Sequence, residues 1–180
     1  VFDWNGGKKP NKLAKLEGNS NGDVLLLGKA GGLGSECSIE AGGKCLTAPF
    51  TPSPLTKAEC EAEKGKLGIK GCNYDNDYWA GAVKQCGGVS KMPTADDLAK
   101  LATELYKGNP TVGTMQRVDA ELDTSKASSL GFTGSLFWIW SGEENGSYNL
   151  AYSRSFSQSG TGCDSYFRPS SRPQAVCVGE

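Results

Sequence analysis

The 180-residue sequence has no histidine, only two methionines, and no CxxC pair among its seven cysteines. Each absence closes off a class of chemistry. Without histidine no Cys/His or Ser/His nucleophilic pair can form, and zinc sites of the Cys2His2 kind lose half their ligands. The cysteines, at 37, 45, 60, 72, 86, 163 and 177, do not have the spacing of a four-cysteine zinc site either. The longest apolar run, Val24-Leu25-Leu26-Leu27, is strand-sized and far too short to span a bilayer. Net charge is −1, with both signs interspersed through the first two thirds, so there is no basic footprint and neither nucleic acid nor a membrane surface is an expected partner. The glycine-rich stretch 28–34 reads GKAGGLG, which lacks both the GxGxxG spacing and the GK[ST] ending of a phosphate loop.

Lysine is missing from one region only. All fifteen lysines fall within residues 1–126, and residues 131–180 have none. Ser, Tyr, Asn, Arg, Phe, Thr, Gly and Asp fill this tail, on a framework of Trp, Gln and Glu. Binding surfaces use that palette, with aromatics for rigid amphipathic contact area and small polar residues for adaptable hydrogen bonds. The length suits one domain with a core plus an extended arm, and 25 glycines argue for many turns and irregular loops. Histidine-free cysteines without metal spacing read as disulfides of an oxidising compartment. Their odd number leaves one thiol over; Cys163, inside the tail, is taken as the spare one.

Along the chain, residues 1–9 read as an arm with a turn at Asn5-Gly6-Gly7, and residues 23–27 as a short strand. Cys37 and Cys45 bracket a hairpin turning at Gly42-Gly43, and Pro49, Pro52 and Pro54 stiffen a connector. Thr56 and Glu59 have capping-box spacing, starting a helix that Gly65 or Gly68 ends. A second helix opens near residues 75–77, puts Trp79, Ala82, Val83 and Cys86 on one stripe and stops at Gly87-Gly88. A third starts at Thr94, buries Leu98, Leu101, Ala102 and Leu105 and ends at Gly108. Strand-like segments follow at 136–140, 148–156 and 175–178. Helices first and antiparallel strands afterwards predict an α+β fold.

Three motifs have competing readings. Asp75-Asn76-Asp77 could hold calcium, but it lacks the glycine and distal glutamate of an EF-hand loop, and a helix N-terminus favours such residues. Glu143 and Glu144 suggest a glycosidase pair. Adjacent carboxylates on a strand diverge, however, whereas that chemistry needs two facing groups, and a hairpin turn at Glu143-Glu144-Asn145-Gly146 describes them better. Asn145-Gly146-Ser147 also matches the N-glycosylation pattern. The aromatics of 137–140 read as core. Tyr148, Tyr152, Tyr166 and Phe167, set among serines and glycines, are open to both contact and packing roles.

Several runs together resemble a known family: Tyr78-Trp79-Ala80-Gly81-Ala82-Val83-Lys84-Gln85-Cys86, Lys91-Met92-Pro93-Thr94, Phe137–Ser141, and Gln174-Ala175-Val176-Cys177-Val178-Gly179. They resemble a C-type-lectin-like domain, specifically the variable head of bacterial pilin-like surface proteins diversified by retroelements. The resemblance implies two core helices with short antiparallel strands over residues 72–180 and a ligand-binding face over about 137–172. Residues 1–71 become a disulfide-rich N-terminal extension on the pilin side. The EPN and WND motifs of calcium-dependent sugar binding are absent, so that activity does not carry over. Pilins begin with a leader and a long apolar helix, which implies such a segment before Val1. Retroelement mutagenesis of adenines cannot create Lys, Glu, Gln, Met or Trp at variable sites, and the tail's lack of Lys and Met fits.

On this reading the protein is a non-enzymatic recognition domain on a bacterial surface or pilus. It needs no metal or cofactor, and its partner is an unidentified protein or glycan, or neighbouring pilin subunits. The candidate contacts are Tyr148, Asn149, Tyr152, Arg154, Ser155, Ser157, Asp164, Ser165, Tyr166, Phe167, Ser170 and Ser171. The expected disulfides are Cys86–Cys177, Cys37–Cys45 and Cys60–Cys72. The rivals are a structural minor pilin without a dedicated ligand, and a secreted glycan-active enzyme using Glu143 or Glu144.

Overall fold

Side-chain oxygens set where the helices start. In the computed structural model, which describes residues 37–146 and 148–179, the Thr56 hydroxyl accepts the Glu59 N–H at 3.1 Å and the Glu59 carboxylate accepts the Thr56 N–H at 2.9 Å. This reciprocal capping box opens α1, Lys57–Leu67, which Gly68 closes at φ 81°. The Asp77 carboxylate accepts the Ala80 N–H and opens α2, Tyr78–Cys86, closed by Gly87 at φ 96°. A second capping box, Thr94 with Asp97, opens α3, Ala95–Leu105. Asp123 caps α4, Thr124–Ser129. The end of α3 differs from expectation: the helix stops before Gly108. Tyr106 is already extended and is held by a bridge to Leu122, so tertiary pairing outcompetes the glycine stop signal.

Strands β1, Ile39–Ala41, and β2, Lys44–Leu46, form a hairpin. It turns through Gly42 and Gly43 at φ 59° and 82°, as a two-residue primed turn requires. The main sheet contains β3, Val118–Asp119, β4, Leu136–Glu144, β5, Leu150–Ser157, and β6, Gly160–Phe167. All its pairings are antiparallel, in the order β3-β6-β5-β4. The fold is therefore α+β. Residues 175–178, expected as a closing strand, make isolated bridges instead, Ala175 with Phe50 and Val178 with Leu46. Gln174 lies along the outer edge of β4, where its N–H donates to the Trp138 carbonyl and its carbonyl accepts from the Trp140 N–H.

The sheet separates two hydrophobic clusters. Phe137, Ile139 and Phe156 pack with Leu98, Leu101 and Leu105 of α3 and with the small hairpin. Trp140 and Ala151 belong to the other cluster, with Trp79, Ala82 and Val83 of α2 and with Leu55, Cys60, Leu67 and Cys72. That second cluster draws residues from both sides of 71/72. One unit runs from Ser38 to Val178, because α1 and the Cys60–Cys72 disulfide contribute to the core around Trp79. Cys86 is bonded to Cys177, and both Cys37 and Cys45 are disulfide-bonded. Disulfides persist in oxidising, extracytoplasmic environments. Among the described residues no helix is long and apolar enough to cross a membrane. The expectations for residues 1–9, for the strand at 23–27, for the loop 28–34 and for Ser147 lie outside the described residues.

Candidate functional site

Strand register sorts the tail residues. Directly paired residues of an antiparallel sheet share a face. Trp138 pairs with Ser155 and Ser155 with Gly162, while Leu136 pairs with Ser157 and Ser157 with Gly160. In the same way Trp140, Ser153 and Asp164 form a row, followed by Glu144, Ala151 and Tyr166. This face is buried where Trp140 and Ala151 join the α2 cluster. Beyond them it opens: Trp138, Ser155, Ser157 and Tyr166 are half-buried, and Leu136 and Asp164 are exposed. The rings of Trp138 and Tyr166 meet edge to face at 5.5 Å, and Tyr166 also meets Trp140 at 6.4 Å. Tyr166 is thus an anchor set into the sheet rather than a free tip.

The opposite face carries Tyr152, Arg154, Cys163, Ser165 and Phe167, because Arg154 pairs with Cys163, Tyr152 with Ser165 and Leu150 with Phe167. One candidate here must be corrected. Arg154 is 1% exposed and cannot contact a ligand. Its Nε donates to Thr161 Oγ1 at 2.9 Å, and its Nη1 and Nη2 donate to the carbonyls of Thr114 and Gln116 at 3.3 and 3.0 Å. Burial lowers its pKa. It clamps the 114–116 segment to the sheet, and the α3 cluster beneath leaves its stem no route to solvent. Phe167, 59% exposed, and Ser165 are open to solvent, and Tyr152 is half-buried. Cys163 is a free thiol, 3.7 Å from Met115 Sδ. Burial pushes its pKa up against the opposing pull of the Arg154 charge, with Asp164 and Glu143 adding to the rise, so it is not an activated nucleophile.

The remaining candidates are on loops. Tyr148 has a left-handed backbone (φ 61°), unusual for a bulky residue, and a Cβ added at Gly71 would lie 2.6 Å from its ring carbons. The ring therefore rests on the Gly71 backbone. Asn149, exposed, receives a hydrogen bond on Oδ1 from Asn73 Nδ2 at 2.8 Å. The Ser170 hydroxyl accepts the Arg172 N–H, and Ser171 is exposed. Ser155 and Ser157 hydroxyls donate to the carbonyls of Gly162 and Gly160 at 3.3 and 2.9 Å. The twelve candidates therefore divide between two faces and two loops instead of forming one patch.

The acidic motifs are taken up by the fold. Arg168, fully buried, lies 2.8 Å from Asp77 Oδ2 and 3.1 Å from Glu144 Oε1, with its guanidinium 4.5 Å from the centre of the Trp79 ring. Glu144 also accepts the N–H groups of Lys70 and Gly71 at 2.7 and 3.1 Å. Both its oxygens are committed, and Glu143 and Glu144 belong to β4 and not to the turn. Asp75 accepts the Lys57 N–H and Asp77 caps α2, so capping is the role of that cluster. Among the described residues no group of three His, Cys, Asp or Glu gathers to hold a metal. A surface cleft of about 450 Å³ between Gly68, Lys70, Glu143 and Tyr148 opens beside this network.

Two side chains that sequence reasoning missed complete the open face. Arg172 places its guanidinium 5.6 Å from the Trp138 ring centre. Arg117 runs alongside Gly160 and Gly162, where an added Cβ would come 2.9 Å from its Nη2 and 3.6 Å from its Cβ respectively. Period-two alternation around buried Phe137 and Ile139 was the available signal that Trp138 faces away from the core. Nothing in the sequence pointed to Arg117. No family model, no curated protein and no solved structure matches this chain.

Proposed function

We propose that this chain is the ligand-recognition domain of a bacterial pilin-like surface protein, C-type-lectin-like in fold and diversified by a retroelement, acting without enzymatic activity or cofactor. One observation carries the reading. The lysine-free tail supplies three of the four strands of the sheet whose open face presents Trp138 and Tyr166 beside a short-side-chain row of Ser155, Ser157 and Gly162. Aromatic anchors surrounded by small polar groups are the composition of interfaces that bind with few, strong contacts. The commitment of both Glu144 oxygens speaks against the glycan-active alternative, since two backbone N–H groups and the Arg168 guanidinium already occupy the carboxylate and leave neither oxygen turned to a substrate.

Sequencing the same locus in sister isolates tests this. Substitutions should concentrate in residues 142–171 at outward positions such as Ser155, Ser157, Asp164, Ser165, Phe167, Ser170 and Ser171. Arg154, Phe156 and Arg168, which the fold uses internally, should stay fixed. Changes spread evenly over the chain would make it a structural minor pilin and remove the recognition role.

A further inference from the structure

We infer that the molecule recognised by the open face is a second copy of this chain, an inference that rests on the recognition role proposed above. The open part of the face is two rows deep, since Trp140 and Ala151 further along it are covered by the α2 cluster. One row runs Leu136, Ser157, Gly160 and Asp119 across the four strands. The next runs Trp138, Ser155, Gly162 and Arg117. Arg117 belongs there because the β3–β6 register carries it to Gly162, where an added Cβ would lie 3.6 Å from its own. Strand by strand the two rows match: apolar, serine, glycine, charge. Only the sign of the charge differs. A two-fold axis lying across the strands, midway between the rows, sets each row of one copy on the other row of the second copy. Leu136 then meets the other copy's Trp138, serine meets serine, glycine meets glycine, and Arg117 meets the other copy's Asp119.

The charges select this occupant. Arg117 and Arg172 stand against Asp119 and Asp164, so the face is neutral and favours neither an acidic nor a basic partner, and two copies approach without net repulsion. Arg172 and Asp164 are exposed at the rim of the two rows, where water screens them. Arg117 is free to change partners. Its contact with Asp119 of the same chain, at 3.5 Å, is open to water on both sides and holds it only weakly. The guanidinium lies over Gly160, where any side chain would come within 2.9 Å of it, so the glycines make room for this arginine between the two sheets. The apolar gain lies at the other edge. Leu136 is 51% exposed, and pairing removes it and the half-buried Trp138 from water together.

Analytical ultracentrifugation of the full chain, from micromolar to millimolar concentration, tests the pairing. The expected result is a reversible monomer–dimer equilibrium. Arg117→Asp and Asp119→Arg, both at exposed positions, should each weaken it about tenfold or more, because each sets like charges opposite one another. Mixing the two variants should restore the dimer, and so should both substitutions in one chain, since either returns opposite charges to both contacts. Leu136→Arg should leave a monomer throughout. A wild-type chain that stays monomeric overturns this inference and leaves recognition of some other molecule standing. The same holds for a dimer that ignores these substitutions, which pairs through another surface, and for one that the reversals weaken without rescue on mixing. A dimer that obeys the charge swap, yet never exchanges copies between labelled and unlabelled preparations, keeps the pairing and removes the recognition role, because the face is then a permanent subunit joint.

Discussion

Tyr106 shows how much a single buried hydroxyl can govern. Its ring stacks 6.5 Å from Phe156, and its hydroxyl lies 2.7 and 2.6 Å from the carbonyls of Ser157 and Gly160, at the turn between β5 and β6. Burial pushes its pKa up from 10.0 to about 12, with the Ser157 hydrogen bond partly opposing it. The unfolded chain therefore loses this proton at lower pH than the folded one. The stabilisation is complete below pH about 10 and is lost as pH rises through about 12. Its size is on the order of 2–3 kcal/mol. Urea melts of wild type and Tyr106→Phe across this range should show the variant less stable by about 1 kcal/mol at pH about 9, where it lacks the hydrogen bonds. The gap should close near pH about 11 and reverse as pH approaches 12, since the loss on ionisation exceeds the hydrogen-bond advantage and the other tyrosines contribute equally to both proteins. A gap that stays constant would mean that the phenol ionises as freely in the folded state as in the unfolded one.

Elements with local signals were legible in the sequence, and those held by tertiary contacts were not. Thr56 with Glu59, Thr94, and Asp77 carry their capping chemistry within one helical turn, so the helix starts could be read residue by residue. The glycine pair of the β1–β2 hairpin is equally local. β6 was missed because Gly160-Thr161-Gly162-Cys163-Asp164-Ser165 has low strand propensity, and it is a strand because β5 pairs with it along its whole length. Arg154 was misread for the same reason. On sequence it sits among serines and tyrosines, and only the register turns it towards α3, where Thr161 and two loop carbonyls satisfy it. Arg117 could not be placed at all, since its position depends on glycines more than forty residues away. If Arg154 is the clamp, Arg154→Ala should cost about 2–3 kcal/mol by stranding buried carbonyls. It should also raise amide exchange across residues 112–118 more than elsewhere. Normal stability with unchanged exchange in that segment would return Arg154 to the surface and to the candidate contacts.

For the molecule as a whole, the last residues tie both clusters together. Val176 packs in the α3 cluster and Ala175 in the α2 cluster. The backbone around them exchanges hydrogen bonds with Phe50, Thr47 and Lys91, including Val178 N–H to the Lys91 carbonyl at 2.7 Å. Cys177 then links this segment to Cys86 at the end of α2, across 91 residues of sequence, whereas Cys60–Cys72 closes only 12. In the chain-entropy account the longer loop stabilises by about 4–5 kcal/mol and the shorter by about 3 kcal/mol. Removing Cys86 and Cys177 together should therefore lower the urea midpoint more than removing Cys60 and Cys72. Cys163→Ser should change stability by no more than about 0.5 kcal/mol, since that thiol has no covalent partner. The opposite order for the two pairs would place the main staple at α1 and make the α2 cluster, rather than the closing segment, the element on which the open sheet face depends.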